Sequence, residues 1–404
     1  MNRYTYLFII SLVLGWLTFF FHAPVFRDYL IHKINQELTI AEKNEFNIII
    51  TKLNLKRLED LALKSIELGF LKRESKKWVP CKVVSNGIYT KCKLRLRGDL
   101  PKHWNGLKRS YRLKFNDPSP FWGWKKVDLI LPEDKGFESE LAGYEIAKKL
   151  ELIAPGASFS SVSINGIRTG SYFVKQGDSG SLFELNRRTE SMMVRENNIW
   201  WFAQYNGSLY PQSFLRNAGD KTNLKTHSIL YSPTFSGKAA YNQTFSRFAS
   251  FLKATEEGGD LRSLLDIKSY YRWLAIVMCF GSTHSILGDN LFWYINSSTG
   301  LAEPVLYDLI TFRLSSDPFR IFKFKNYIIR MIHSSTWNIG GKHEFEQALK
   351  IIEKELDPIY LNVIKKRVRY SSMMRREDYF SESDALSRLG DIKSNIALIK
   401  KSLP

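Results

Sequence analysis

The segment CKVVSNGIYTKC, residues 81–92, constrains its own folding more tightly than any other stretch of the chain. Both central positions of a two-residue hairpin turn need φ > 0, and Asn86-Gly87 supplies them. Such a turn pairs Ser85 with Ile88, and counting outward sets Cys81 opposite Cys92. Paired Cα atoms in an antiparallel ladder lie about 4.5–5.5 Å apart, within disulfide range. A cross-strand disulfide is the favoured reading; two reduced thiols that happen to face each other is the alternative. Three cysteines in 404 residues are too few for a disulfide-stapled mini-fold. Cys279, inside the apolar run WLAIVMCF, reads as a core residue.

Other elements follow from periodicity. β-patterned runs continue through KCKLRLRGD, KRSYRLKF and VDLILP, and SFSSVSING and GSYFVKQ flank a second turn at Asn165-Gly166. The stretch ESELAGYEIAKKLEL repeats its apolar positions at helical spacing, as do a stretch from about 243 to 253 and SYYRWLAIVMCF. Residues 28–75 read as helical, and 190–240 as an irregular insertion. LFWYI and PVLYDLITF read as a strand pair, and the chain beyond Asn338 as helical and strongly charged. The order of elements is that of an α+β protein, and the composition that of a packed chain of one or two domains. It excludes collagen-like, mucin-like and wholly disordered chains.

From Tyr4 to Phe21 the sequence YTYLFIISLVLGWLTFFF carries no charge. A helix crossing the hydrocarbon core needs roughly 20 such residues. The run lacks a small-x-small exit, which favours an uncleaved signal anchor over a cleaved signal peptide. It predicts a single-pass membrane protein with its body outside the cytoplasm, in contact with membrane lipids through the N-terminal helix. The formal charge is +19. No recognisable nucleic-acid module accompanies it, so a nucleic-acid partner is not expected. The block KKRVRYSSMMRR fits anionic headgroups or a solvated helix face.

Strand alternation gathers the candidate phosphate ligands. Arg95 and Arg97 share one face of their strand, with Leu94 and Leu96 on the other. Arg112 and Lys114 likewise oppose Tyr111, Leu113 and Phe115. If the two strands are neighbours, four cations project from one side of the sheet. Arg and Lys donors suit phosphate, although a solvated strand face gives the same pattern. Downstream, His284, Asp289 and Asn290 stand in STHSILGDNLFWY, and Asp308 follows in PVLYDLITF. An Asn and an Asp on adjacent strands can hold Mg²⁺ through oxygen and leave positions for nucleotide phosphates.

These segments occur in a recognisable order: RLRGD, KRSYRLKF, LAGYEIAKKLEL, SVSINGIRTGSYFV, GDNLFWY, PVLYDLITF. The succession, from about Lys82 to Phe312, resembles the spore-coat protein H (CotH) kinase family. The resemblance implies an atypical protein-kinase-like fold behind the N-terminal transmembrane helix. With the patterning described above, it divides the chain into a signal anchor (1–27), a helical linker (28–75), a CotH kinase-like domain (76–340) and a C-terminal helical, basic segment (341–404). It also implies ATP with Mg²⁺ or Mn²⁺ as cofactors. Arg95, Arg97, Arg112 and Lys114 would hold phosphates, with Lys114 paired to Glu145. Asn290 and Asp308 would hold the metal. The chain departs from the family pattern at Ser285, where the catalytic Asp is expected, so that Asp289 or His284 would serve instead. It departs again at Ile310, Gln176, Asp99 and Leu100.

Two functions follow. One is an extracytoplasmic, membrane-anchored phosphotransferase that moves the ATP γ-phosphoryl to a protein or envelope-glycan hydroxyl. The other is an inactive kinase-like module that binds an anionic ligand or a partner in cell-envelope or surface-polysaccharide assembly.

Overall fold

The computed structural model describes residues 45–71, 75–116, 119–132, 137–196, 227–231, 238–286, 290–370 and 380–403. The chain enters through a strand, β1 (Glu45–Ile49), within the stretch expected to be helical. Helix α1 (Lys52–Leu68) follows, capped by Thr51 and ended at Gly69. Then come β2 (Val79–Ser85), β3 (Ile88–Leu96), β4 (Tyr111–Phe115) and β5 (Lys126–Ile130), helix α2 (Phe137–Lys149), and β6 (Ala157–Ile164) and β7 (Ile167–Gln176). These seven strands close into a barrel in the order β1-β2-β3-β4-β5-β7-β6. Every neighbouring pair is antiparallel except the closing one, β1 with β6.

Local chemistry sets the register. Asn86 and Gly87 take φ 51° and 76°, and Asn165 and Gly166 take 52° and 78°, as a two-residue turn requires. Cys81 lies opposite Cys92 in the ladder, and the two form a disulfide with Cα atoms 5.1 Å apart. Two asparagines fasten the closing strand. Asn165 Oδ1 accepts from Ile50 N at 2.9 Å, and Asn47 Oδ1 accepts from Gly166 N at 3.0 Å. Alternate side chains, among them Val83, Leu94, Leu113, Leu129 and Val174, fill the barrel, and Leu58 and Ala62 of α1 join that core.

The remainder packs on the barrel's outer wall. A short helix α3 (Gly180–Leu185) leads to β8 (Met193–Glu196) and β9 (His227–Tyr231). Helices α4 (Lys238–Glu257) and α5 (Ile267–Cys279) follow, then β10 (Phe292–Ile295) and β11 (Ala302–Val305). These four strands form a second antiparallel sheet, in the order β11-β10-β8-β9. Helices α6 (Pro318–Lys325), α7 (Tyr327–Thr336), α8 (Gly341–Tyr370) and α9 (Glu382–Ser402) complete the fold. The largest core joins α2, α5, α8 and α9 to Ile130, Phe159 and Phe173 on the outside of the barrel.

Two expectations are corrected. The architecture is a closed seven-stranded barrel with a second sheet and helices, not a protein-kinase-like fold. Alternation alone cannot distinguish an open sheet from one whose ends meet, and the strand that joins them, β1, was expected to be helix. The single-pass, extracytoplasmic placement is the second. Among the described residues no helix is long and apolar enough to cross a membrane, and the run Tyr4–Phe21 lies outside them.

One buried side chain ties the C-terminal helix to the segment after β11. Asn395 of α9 is fully buried; its Nδ2 donates to Cys279 O at 3.0 Å and Phe312 O at 2.8 Å, and its Oδ1 accepts from Leu314 N at 2.8 Å. Gly281 makes the approach possible, because a Cβ there would lie 2.0 Å from Phe312 O. Asn395→Ala leaves Cys279 O, Phe312 O and Leu314 N without these bonds, the first of them buried, so urea denaturation should show a loss of about 2 kcal/mol. An unchanged unfolding midpoint would contradict the clamp.

Candidate active site

The register places Arg95 of β3 opposite Arg112 of β4, Arg112 opposite Asp128 of β5, and Asp128 opposite Lys175 of β7. All four therefore face out of the barrel in one row. Asp128 is fully buried, and it holds the row together. Its Oδ2 accepts from Arg97 Nε at 2.8 Å and Arg112 Nη2 at 2.6 Å, and Arg112 Nε bonds Oδ1. Burial alone would raise the Asp128 carboxyl. The charges of Arg112 and Arg97, with their hydrogen bonds, instead hold it far below the usual carboxylate range. Arg112 also meets Asp178 at 3.3 Å. Arg95 lies over the Trp78 ring, 5.0 Å from its centroid; burial first, and Arg112 second, push its pKa down to about 10.

Beside this row lies a buried ion pair. Lys175 Nζ is 3.0 Å from Glu140 Oε1 of α2, with the two side chains 2% and 0% exposed. Tyr144 also donates to Glu140 Oε1, while Oε2 has no hydrogen-bond partner among the described residues. The Lys175 ammonium sits 4.0 Å from the Tyr307 ring centroid, and Arg97 Nη2 donates to Tyr307 Oη at 3.2 Å. Burial opposes the charge on Lys175, but Glu140, Tyr307 and Asp308 outweigh it and hold its pKa above the ordinary lysine value.

Tyr307 leads directly into the third group. Asp308 is 8% exposed and takes φ 55°, a left-handed backbone that Asp and Asn tolerate better than other side chains. Its Oδ2 lies 3.1 Å from His284 Nδ1, which in turn lies 3.3 Å from the Asn290 amide. His284 belongs to the short turn Thr283–Ile286 after α5. Hydroxyls set the backbone around it. Ser285 Oγ donates to Asp308 O at 3.1 Å, Ser282 Oγ lies 2.7 Å from Ser285 Oγ, and Ile310 N donates to Ser282 Oγ at 3.0 Å. The residue standing where a catalytic Asp was expected thus serves the backbone of the Asp308 loop.

Of the residues singled out from sequence, the structure brings Arg95, Arg97 and Arg112 together, and likewise His284, Asn290 and Asp308. Asp289 lies outside the described residues. The expected Lys114–Glu145 pair is not formed. Lys114 is exposed, and Glu145 pairs with Lys148 on the surface of α2 at 2.7 Å. Lys175 and Glu140 form the buried pair instead. Helical spacing carried the signal: Glu140 shares a face with Tyr144 and Ala147, whereas Glu145 shares one with Lys148 and Lys149. Lys175 likewise ends an apolar run, GSYFVKQ, in which a cation needs a buried partner.

The donor set suits a hard cation, since Asp308 and Asn290 offer oxygen ligands and Mg²⁺ keeps several waters or phosphate oxygens of its own. Among the described residues no three His, Cys, Asp or Glu side chains cluster as a metal site. The chain belongs to the CotH kinase protein family, whose family model matches residues 94–354. The match takes in the Lys175–Glu140 pair, the Asp128 row and the His284–Asn290–Asp308 group, and it makes the chain kinase-like in class. No curated protein matches the chain.

Two stability experiments test this network. Lys175→Met leaves Glu140 buried and uncompensated, and should cost about 3–5 kcal/mol in urea denaturation. Adding Glu140→Gln should recover most of that loss, and failure to recover would show that the charges are not coupled. The second concerns pH. The folded-state pKa of Asp128 lies below its unfolded value of about 3.9, so its contribution is complete above that pH and is lost as pH falls further. Asp128→Asn should therefore unfold with a flatter dependence on pH below about 4 than the unsubstituted protein. Parallel curves would remove Asp128 from the acid response.

Proposed function

We propose that this protein transfers the γ-phosphoryl group of ATP, with Mg²⁺ or Mn²⁺, to a hydroxyl of a protein or glycan acceptor. The observation that carries the reading is the buried Lys175–Glu140 pair beside Asp308. Protein kinases use a lysine held by a helix glutamate at the phosphates, and an Asp and an Asn at the metal. Here the same side-chain types stand on a barrel strand, a helix and two loops. Family membership supports the reading at the level of class.

Lys175, held by Glu140, would present its ammonium to the phosphates. Arg97 and Arg112, fixed side by side by Asp128, would offer their remaining N–H groups to phosphoryl oxygens. Asp308 and Asn290 would hold the metal, which when bound neutralises charge on the phosphate oxygens. His284, 41% exposed and oriented by Asp308, would accept the acceptor hydroxyl's proton. The hydroxyl oxygen gains the new bond to phosphorus, the bond from phosphorus to the β,γ-bridging oxygen breaks, and ADP leaves. A second reading, nucleotide or anion binding without transfer, is favoured by Ser285, whose hydroxyl is engaged with the backbone where a carboxylate base was expected.

A thermal-shift titration of the full chain with ATP, with and without Mg²⁺, tests both. Binding to the native state should raise the melting temperature by roughly 5 °C at saturation. Asp308→Asn keeps a residue that tolerates the left-handed backbone, so it should fold normally and lose the metal-dependent part of the shift. No shift in the unsubstituted protein at millimolar nucleotide would overturn the proposal. A shift without phosphoryl transfer to any supplied protein or glycan would favour the second reading.

A further inference from the structure

The outer wall of β2–β5 carries more positive charge than the candidate site uses. Alternation turns Lys82 of β2, Lys91 and Lys93 of β3, Lys114 of β4 and Lys126 of β5 away from the barrel interior. The register sets Lys82 opposite Lys91, and sets Lys93, Lys114 and Lys126 abreast on three adjacent strands. Like charges directly opposite one another destabilise a sheet. Lys126 meets Asp178 at 3.6 Å. Lys82, Lys91, Lys93 and Lys114 are exposed, and none of them meets a carboxylate among the described residues. Neighbouring parts of the same wall are apolar and covered, with Ile130 and Phe173 packed in the helical core. The lysine rows are the part left bare.

These rows run into the candidate site without a break. Lys93, Lys114 and Lys126 each stand two residues from Arg95, Arg112 and Asp128, so the second row begins about 6.8 Å from the first. We propose that the strip docks an acidic stretch of the acceptor polypeptide beside the residue that receives the phosphoryl group, a proposal that rests on the phosphotransfer reading. Charge complementarity is the first argument, since the strip offers ammonium groups with almost no carboxylate of its own. Spacing is the second, because same-face side chains of an extended polypeptide recur at the interval that separates the two rows.

The test uses the full chain and a fluorescein-labelled decaglutamate, read by anisotropy at low salt. The triple variant Lys82→Gln, Lys91→Gln, Lys93→Gln changes exposed side chains of the strip that no site contact uses, and should leave the fold intact. It should bind decaglutamate about tenfold more weakly and keep the nucleotide-induced thermal shift of the unsubstituted protein. Equal binding by the two proteins would overturn the proposal. So would tighter binding of a thymidine decamer or of polygalacturonate with the same dependence on the three lysines, which would assign the strip to another polyanion. Lysine-dependent decaglutamate binding without any nucleotide-induced shift would leave the docking strip standing and remove the phosphotransfer reading.

Discussion

The Asp128 carboxylate is the interaction on which the candidate site depends. Arg97, one residue past β3, and Arg112 of β4 lie side by side, and two guanidinium groups in that position repel each other. Asp128, buried between them, converts repulsion into a fixed arrangement by accepting from both. A lone buried carboxylate would be costly, and here two cations and several hydrogen bonds offset its desolvation. The same strand register carries the row on to Lys175, where Glu140 repeats the device with one cation and one carboxylate. Arg97, Arg112 and Lys175 are therefore each oriented by a buried acid before any ligand arrives. Such preorganisation is what electrostatic stabilisation of a transferring phosphoryl group requires.

The barrel supplies the rigidity that this arrangement needs. Side chains of the seven strands fill its interior, so outward-facing residues project from a wall that cannot easily bend. The opposing wall is made differently. Asp308 follows β11 in irregular backbone, and the hydroxyls of Ser282 and Ser285 with the amide of Asn395 hold that segment in place. Tyr307, from the segment that carries Asp308, reaches the barrel wall under Lys175 and against Arg97.

Local features of the sequence translated well into structure. The two Asn-Gly turns, the Cys81–Cys92 pairing and the facing of Arg95 and Arg112 all follow from the two-residue period of a strand and the needs of a tight turn. Helix α2 was legible from its periodicity, yet the choice between Glu140 and Glu145 depended on which face the rest of the fold would cover. Closure of the barrel was not legible. It turns on β1, whose five residues EFNII form a parallel ladder with β6, far away in sequence. Nothing within those residues specifies a distant parallel partner. The third group was legible as a set of residue types, but the geometry of Asp308 comes from a backbone conformation that no pattern announces.

The family match and the folded unit have different boundaries. Residues 94–354 begin near the end of β3 and stop within α8. Outside that span lie β1, β2 and α1, without which the barrel has two open edges and a hole in its core. Beyond its other end lie Tyr360, Val363 and Ile364 of α8, and all of α9 with Asn395, which supply the floor beneath the Asp308 segment. The matched stretch is thus shorter than the folded unit, because the barrel closes and the Asp308 segment is supported only by residues beyond both of its ends.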